Sequence, residues 1–355
     1  MKLFVAAGEG SGDALVAGLV PVLRARLPAL ELVGVAGPRM RALGVTGLAA
    51  ERFTAIGLVE VVPRLLDLRR GLDEAYALAV HSGARVALTV DAPSAWLRLA
   101  PRLRAAGIAV LHWVSPQVWA WRPGRVDAIA SAVDAVLCLL PFEPALYAGR
   151  VRARFVGHPA AALRPATPRR RGWFALCPGS RPAEVRALWP VFREVARELR
   201  RRDPRCRFVV PRDTVGARAQ LGGLDATYVD SMAEVAGVDA AVTAAGTATL
   251  ELAAMDVPMV VTYRVHPWTA AIARRVLTVR HLALPNVLSD RPAVPEHVQD
   301  LDPVAIAAEM ASLAGVRGQV PRGLLEALRG ADAYDRVADE VCAWLGADTP
   351  GGSPR

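Results

Sequence analysis

Short apolar runs recur along this chain, and stretches with helical periodicity separate them. In the first half the runs occupy residues 3–7, 31–35, 84–90, 108–114 and 135–140. A strand buried on both faces is apolar without alternation, and two parallel strands need a crossover between them, usually a helix. The pattern therefore predicts an α/β fold built on a parallel sheet.

The pattern resumes after a segment rich in proline and arginine, residues 158–172, which has the composition of a linker. The later apolar runs occupy residues 173–177, 207–210, 240–243 and 258–263. The length of 355 residues also exceeds the roughly 250–300 at which a single core stops growing. We therefore predict two Rossmann-like domains, 1–160 and 161–330, and a segment 331–355 whose helix packs back on the first domain and whose tail is disordered.

Composition narrows the function only in part. Hydrophobic residues make up 53% of the chain and charged residues 22%, as in packed globular proteins. The net charge of +9, carried by arginine, suits phosphate ligands, nucleic acid or an anionic membrane equally well. The 4 cysteines form no CxxC pair and the 6 histidines show no paired ligand spacing, so we expect a reducing cytoplasm and no metal site. Of the histidines, His158 at the predicted boundary is the one expected to face a cleft.

The turn at residues 178–181 follows an apolar run and precedes a helical segment. Backbone N–H groups of Gly179 and Ser180, the helix dipole and the Arg181 guanidinium can converge there on phosphate oxygens. An ordinary turn with a surface arginine is the alternative interpretation. The spacing is that of neither a dinucleotide fingerprint nor a P-loop, so a dehydrogenase and an ATPase are not indicated.

A second turn in the same half has small residues at Gly246, Thr247 and Ala248, which would let a ligand approach the start of the next helix. Glu251 lies one turn further on, where its carboxylate could accept both hydroxyls of a ribose. The alternative is a glutamate that only complements the helix dipole. Taken with the first turn, the pattern favours nucleotide binding.

The first turn of the chain, residues 8–13, has glycine at alternate positions and three polar side chains, Glu9, Ser11 and Asp13. Two acids would repel a pyrophosphate, so the turn suits sugar hydroxyls better.

Asp91 follows another apolar run, at the strand end where open α/β sheets place functional residues. It could act as a general base toward a sugar hydroxyl, or it could be the N-cap of the next helix.

Three of the 8 tryptophans fall within residues 113–122, beside Ser115, Gln117 and Arg122. Tryptophan usually packs in a core, but this cluster, with Trp119 at its centre, could also form the wall of an acceptor or sugar pocket.

Residues 58–72 carry leucine and valine at three- and four-residue spacing, with Arg64, Arg69 and Arg70 beside them. This pattern predicts an amphipathic basic helix, which either packs on the core or lies on an anionic bilayer.

Eleven segments in chain order resemble one known family. They are residues 8–13, 37–40, 56–61, 115–121, 140–143, 156–159, 178–181, 246–251, 258–264, 284–286 and 295–299. Together they resemble the lipid A disaccharide synthase family, inverting glycosyltransferases with two Rossmann-like domains facing a cleft. The resemblance implies transfer of 2,3-diacylglucosamine from UDP to the 6-hydroxyl of 2,3-diacylglucosamine 1-phosphate, at the inner face of the cytoplasmic membrane, with no cofactor and no nucleic acid partner.

The resemblance also assigns roles to individual residues. Asp91 matches the proposed general base of the family. Donor-site positions are matched by Arg181, Gly246, Thr247, Glu251 and Asn286, and further cleft positions by Gln299 on the donor side and by Glu9, Ser11 and Asp13. The residues after Asp91 depart from the family pattern, since Ser94-Ala95-Trp96 stands where the family has an acid, Phe and Asn. A relative that glycosylates a different lipid, and a nucleotide-sugar binder without catalysis, therefore stay open as alternatives.

Overall fold

The computed structural model describes residues 1–50, 53, 61–120, 123–164, 168–211, 223–265 and 279–346, apart from the side chains of 61–66 and 123. The chain divides into two compact units. The first combines Met1–Pro159 with Ala331–Arg355, and the second is Ala160–Gly330. Each unit is built on one parallel sheet.

The first unit contains a seven-stranded sheet in the order β3-β2-β1-β4-β5-β6-β7. Its strands are β1 Lys2–Ala7, β2 Glu31–Ala36, β3 Thr46–Ala49, β4 Val86–Val90, β5 Ala109–Trp113, β6 Ala135–Cys138 and β7 Arg152–Phe155. Its helices are α1 Gly10–Arg26, α2 Pro38–Ala42, α3 Val61–Ser82, α4 Pro93–Ala105, α5 Val126–Ala132 and α6 Glu143–Leu146. Beside the switch in strand order, Ala7 of β1 pairs in register with Val90 of β4.

Helices cover both faces of this sheet, which explains why its strands are apolar without alternation. On β1, Leu3 and Val5 belong to one core cluster, while Phe4 and Ala6 belong to the other. The first cluster is completed by α1 and by the helix near the C-terminus, and the second by α3, α4 and α5.

The helix near the C-terminus, Ala333–Leu345, packs against α1 within the first unit. A Cβ added at Gly18 would lie 2.3 Å from the Tyr334 ring, so this crossing depends on glycine. Arg26 at the end of α1 pairs with Asp335 at 2.6 Å and also with Asp339. The tail predicted to be disordered, 348–355, lies outside the described residues.

The second unit contains a six-stranded sheet in the order β10-β9-β8-β11-β12-β13. Its strands are β8 Trp173–Cys177, β9 Arg207–Pro211, β10 Thr227–Val229, β11 Ala240–Ala244, β12 Met259–Tyr263 and β13 Glu296–Val298. Its helices are α7 Pro182–Arg202, α8 Ala248–Ala254, α9 Leu284–Ser289, α10 Pro303–Leu313 and α11 Arg322–Ala327, so the helix Ala333–Leu345 is α12. The predicted α/β class with two Rossmann-like sheets is confirmed.

Candidate functional site

Each sheet reverses its strand order once, between β1 and β4 in the first unit and between β8 and β11 in the second. Open parallel sheets bind ligands at the carboxyl ends of the strands beside such a point. The turns that follow these four strands begin at Gly8, Asp91, Pro178 and Ala245. These turns and the first turns of the helices that follow them contain most of the residues that the sequence singled out.

Asp91 directly follows β4 and is held in an unusual backbone conformation, with φ of 53° at Asp91 and 41° at Ala92. Its N–H donates to the carbonyl oxygen of Trp113 at 3.0 Å, and its Oδ2 accepts from Ser11 Oγ at 2.7 Å. The N-cap residue of α4 is Ala92, without a capping side chain, so the interpretation of Asp91 as a helix cap is wrong. Left-handed backbone costs a non-glycine residue about 1 kcal/mol or more, and the surrounding bonds must hold this carboxylate in place.

The unexpected neighbour Trp96 is a core residue, with no exposed surface. Its Nε1 donates to the carbonyl oxygen of Val90 at 3.2 Å, and its ring lies 5.1 Å from that of Phe53. A Cβ added at Gly8 would lie 3.2 Å from Trp96 Cζ2. Trp96 therefore fills space beneath the first turn and Ala95 is buried with it, while Ser94 is the exposed member of this departure from the family pattern.

Asp13 has a structural role. It is 4% exposed, and its two carboxylate oxygens accept from the N–H groups of Arg39 and Met40, both at 3.0 Å. A Cβ added at Gly37 would lie 2.3 Å from Asp13 Cγ. The carboxylate caps the start of α2, where negative charge is favoured, and its assignment to the substrate side is corrected. Glu9, at the N-cap position of α1, is half-buried.

The tryptophan-rich segment divides between core and surface. Trp113 has no exposed surface and belongs to the core. Trp119 is half-buried, and its Nε1 donates to Glu143 Oε1 at 3.1 Å. Gln117 is exposed, and residues 121–122 lie outside the described part of the chain. Trp119 and Gln117 therefore stay candidates for the acceptor side, while Trp113 does not.

Two buried histidines are neutral at pH 7. Burial lowers the pKa of His158 to about 4, and the side chain is 3% exposed, so it offers no positive charge to a phosphate. His112 on β5, which the sequence patterns did not single out, places its Nδ1 2.9 Å from Thr89 Oγ1. Burial lowers its pKa to about 4, against the opposing effect of the nearby Asp91 carboxylate.

In the second unit the two predicted phosphate-binding turns are adjacent. Gly179 has φ 94°, and a Cβ there would lie 3.3 Å from Ala244 Cβ and 2.7 Å from Glu184 Oε2. Gly246 has φ 153°, and a Cβ there would meet nothing within 4 Å. The absence of a side chain at Gly179 allows the two turns to approach each other closely. At Gly246 the backbone has a conformation that favours glycine, and the space beside it is open. Ser180 and Thr247 are exposed beside them.

Arg181 stands at the N-cap position of α7, with 57% of its side chain exposed. Its guanidinium lies 3.3 Å from Glu184 Oε1. Burial raises the pKa of Tyr263, with Glu184 adding to the shift and Arg181 opposing it, so the three groups share one environment. Sequence patterns did not single out Glu184 or Tyr263, although a glutamate three residues after an arginine is a recognisable pairing signal on a helix.

Glu251 lies in the first turn of α8 and is half-buried. Burial raises the pKa of the Cys177 thiol, and the charge of Glu251 adds to that shift, so Glu251 lies near the end of β8. Ala248 begins α8, and the Thr249 hydroxyl donates to the carbonyl oxygen of Gly246 at 2.7 Å.

Asn286 and Gln299 both form hydrogen bonds within the protein. Asn286 has no exposed surface, and its Nδ2 donates to the Val294 carbonyl oxygen at 2.8 Å and to Glu296 Oε1 at 2.6 Å. Its Oδ1 accepts from the Val294 N–H at 2.8 Å. Gln299 pairs with both backbone groups of Val265, at 2.8 and 3.1 Å. The assignment of Asn286 as a donor ligand is corrected, because its amide has no exposed surface and is bonded within the protein. Gln299 is half-buried and its amide has further hydrogen-bonding positions, so it stays a candidate for the donor side.

The predicted basic helix corresponds in part to α3. Leu72 is buried in the core, while Arg69 and Arg70 are exposed; position 58 and the side chains of 61–66 lie outside the described residues. Within the described ranges no helix is long and apolar enough to cross a membrane. Over the same ranges, no three His, Cys, Asp or Glu side chains are grouped as metal ligands would be.

The two Rossmann-like sheets, each with polar turns at its switch point, give the chain a fold shared by two-domain glycosyltransferases and UDP-GlcNAc 2-epimerases. A solved structure, the glycotransferase of kitacinnamycin, has the same fold, with TM-score 0.63 and 17% identity over 97% of this chain and 98% of that one. The chain belongs to the lipid-A-disaccharide synthetase family, whose model matches residues 3–314. This confirms the family resemblance recognised from the motifs.

Curated relatives extend the match over nearly the whole chain. The lipid-A-disaccharide synthase of Anaeromyxobacter dehalogenans is 41% identical, with 96% of each chain covered. That of Pseudomonas fluorescens is 39% identical, with 98% of each covered.

Proposed function

We propose that the protein is an inverting glycosyltransferase that transfers 2,3-diacylglucosamine from UDP to 2,3-diacylglucosamine 1-phosphate and releases UDP. The observation that carries the proposal is the carboxylate of Asp91, fixed at the switch point of the first sheet by its backbone and by Ser11. The name of the curated relatives, lipid-A-disaccharide synthase, supports a disaccharide product.

In the proposed reaction Asp91 is the general base. The Ser11 hydroxyl donates a hydrogen bond to Asp91 Oδ2 at 2.7 Å. We therefore propose that Oδ1 accepts the proton from the 6-hydroxyl of the acceptor. The deprotonated oxygen attacks the anomeric carbon of the donor, the bond from that carbon to the phosphate oxygen breaks, and UDP leaves with the electron pair. A single displacement inverts the anomeric configuration. General bases of this kind accelerate reactions by about 10²–10⁴-fold.

The second unit is the proposed donor side. The turn before α7 offers backbone N–H groups, the positive end of a 21-residue helix and the Arg181 guanidinium to the diphosphate. Gly246 leaves open space above its backbone, and Glu251 is the proposed acceptor for the ribose hydroxyls. These groups stabilise the negative charge that grows on UDP as it departs.

The proposal is tested by product analysis. The purified protein, given UDP-2,3-diacylglucosamine and 2,3-diacylglucosamine 1-phosphate, is expected to form one disaccharide 1-phosphate for each UDP released, as measured by mass spectrometry and UDP assay. UDP release without that disaccharide would point to another acceptor or to hydrolysis. Tight UDP-sugar binding by calorimetry without turnover would contradict an enzymatic role altogether.

We also propose that the protein lies peripherally on the inner face of the cytoplasmic membrane, through the start of α3. The support is the basic amphipathic pattern of residues 58–72, the exposure of Arg69 and Arg70, and the diacylated substrates of the proposed reaction, which reside in a bilayer. Each arginine near an anionic surface contributes about 1 kcal/mol of attraction.

Charge reversal at Arg69 and Arg70 is expected to lower binding to vesicles containing anionic lipid by about tenfold or more. Flotation measures this effect. The matched control reverses Arg201 and Arg205, whose side chains are 73% and 90% exposed in the second unit, so that the net charge changes equally. If both variants lose vesicle binding equally, the effect is one of net charge. If neither variant loses vesicle binding, the proposed membrane-binding surface is contradicted.

A further inference from the structure

Glu143 is a carboxyl group buried in the first unit, 3% exposed, at the start of α6. Its Oε1 accepts from Trp119 Nε1 at 3.1 Å, and its Oε2 accepts from the Leu140 N–H at 3.0 Å. Both partners are donors. The site is therefore built for the ionised carboxylate, which accepts at both oxygens.

The bond from Trp119 joins two loops, one after β5 and one after β6, while the bond from Leu140 lies within the second loop. The Trp119 ring also meets the Phe142 ring edge-on, with centroids 5.5 Å apart, and Ser115 Oγ lies 3.0 Å from the Tyr147 hydroxyl. Glu143 is the charged member of this set, so it contributes the strongest bond between the loops.

The joined loops lie next to the proposed base along the sheet. β5 pairs with β4, and the N–H of Asp91 donates to the Trp113 carbonyl oxygen at 3.0 Å. The loop starts with Val114 at φ 78°, a conformation that a β-branched residue adopts only when its surroundings impose it. Beyond it, Gln117 is exposed and Trp119 is half-buried. A bond that fixes Trp119 therefore steadies the loop that begins beside Asp91.

We propose that Glu143 is a positioning residue that holds the Trp119 indole against the lipid-sugar acceptor, and that the acceptor binds well only while Glu143 is ionised. The inference rests on the proposed function, because it names a determinant of acceptor binding in that reaction.

Charges around Glu143 set the pH range of this effect. Burial raises the pKa of Glu143 to about 7 despite its N–H donors, so the group is ionised above that pH and protonated below it. Burial also raises the pKa of Tyr147, to about 12, and that of the Cys138 thiol, so both stay neutral near pH 7. The charge of Arg125 acts on Tyr147 in the opposite direction. Protonation removes the charge that strengthens the bond from Trp119 to Glu143, so this bond weakens as the pH falls through about 7.

The test uses Glu143→Gln, Trp119→Phe and the double variant in the full chain. Either single change is expected to raise the KM for the acceptor about tenfold with little change in kcat, as for the loss of one charge-assisted hydrogen bond. The double variant is expected to have an acceptor KM no higher than that of either single variant, because both changes remove the same hydrogen bond. In wild type the acceptor KM rises as the pH falls from 8 to 6, and Glu143→Gln abolishes this dependence.

A second readout needs no substrate. The emission of Trp119, taken as the difference between wild type and Trp119→Phe, is expected to change with a midpoint near pH 7 and to lose that midpoint in Glu143→Gln. Glu340→Gln is the matched control, since that buried carboxyl pairs with Arg152 and Arg154 elsewhere in the unit. The inference would be overturned if the two changes raised the acceptor KM additively, or if Glu143→Gln kept the pH dependence of wild type. It would also be overturned if Glu340→Gln changed the acceptor KM and the emission as much as Glu143→Gln does. If no acceptor binds wild type while the emission midpoint stands, the proposed function has failed and the coupling of Glu143 to Trp119 has not.

Discussion

Replacing Asp91 by asparagine is expected to lower the rate of sugar transfer by about 10²–10⁴-fold, the contribution of a positioned general base. Asparagine keeps the shape of the side chain and can still accept from Ser11, whose Oγ lies 2.7 Å from Oδ2 in the native site. It cannot take the acceptor proton. The loss should therefore appear in kcat, with UDP affinity unchanged by calorimetry, since the donor turns belong to the other unit.

Asp134→Asn provides the control for this change. Asp134 accepts from the Val110 N–H at 2.8 Å and from Arg104 at 2.9 Å, and it stands just before β6, away from the carboxyl ends of the strands. We expect it to lower stability and to leave kcat within a few fold. Near-normal transfer by Asp91→Asn would exclude the carboxylate as the base, whatever the donor affinity.

Replacing Arg181 by alanine is expected to weaken UDP binding by about tenfold to a hundredfold, the range for a charge-assisted contact to phosphate. The same guanidinium faces the charge that develops on departing UDP, so kcat should fall as well, by about 10²-fold. Because 57% of the side chain is exposed, the fold loses little packing. Calorimetry with UDP and steady-state kinetics measure the two effects separately.

Arg205→Ala removes the same charge from the same unit. Arg205 is 90% exposed and pairs with its neighbour Asp203 beyond the end of α7. If both variants lose UDP affinity equally, the effect is one of net charge, and the proposed contact between Arg181 and the diphosphate is wrong. A loss confined to Arg181→Ala, together with weaker salt dependence of UDP binding, is the expected outcome.

Strand prediction succeeded in the middle of each sheet and failed at its edges. The predicted apolar runs correspond to β1, β2, β4, β5, β6, β8, β9, β11 and β12. The missed strands β3, β7, β10 and β13 are the outermost strands of the two sheets. Their residues are mostly half-buried or exposed, because an edge strand has one neighbour and needs no continuous apolar run.

The sequence by itself determined the parallel α/β architecture, the turns at the switch points and the family, because these depend on local periodicity and on short motifs. Tertiary structure decided what individual polar side chains do. Asp91 and Ser11 are 80 residues apart in the chain, and Glu143 and Trp119 are 24 apart. Asp13 and Asn286 have the residue types expected of ligand contacts, yet both are buried and bonded within the protein. A polar side chain forms hydrogen bonds with the donors or acceptors that the fold places beside it. Those partners cannot be identified from the sequence until the fold is known.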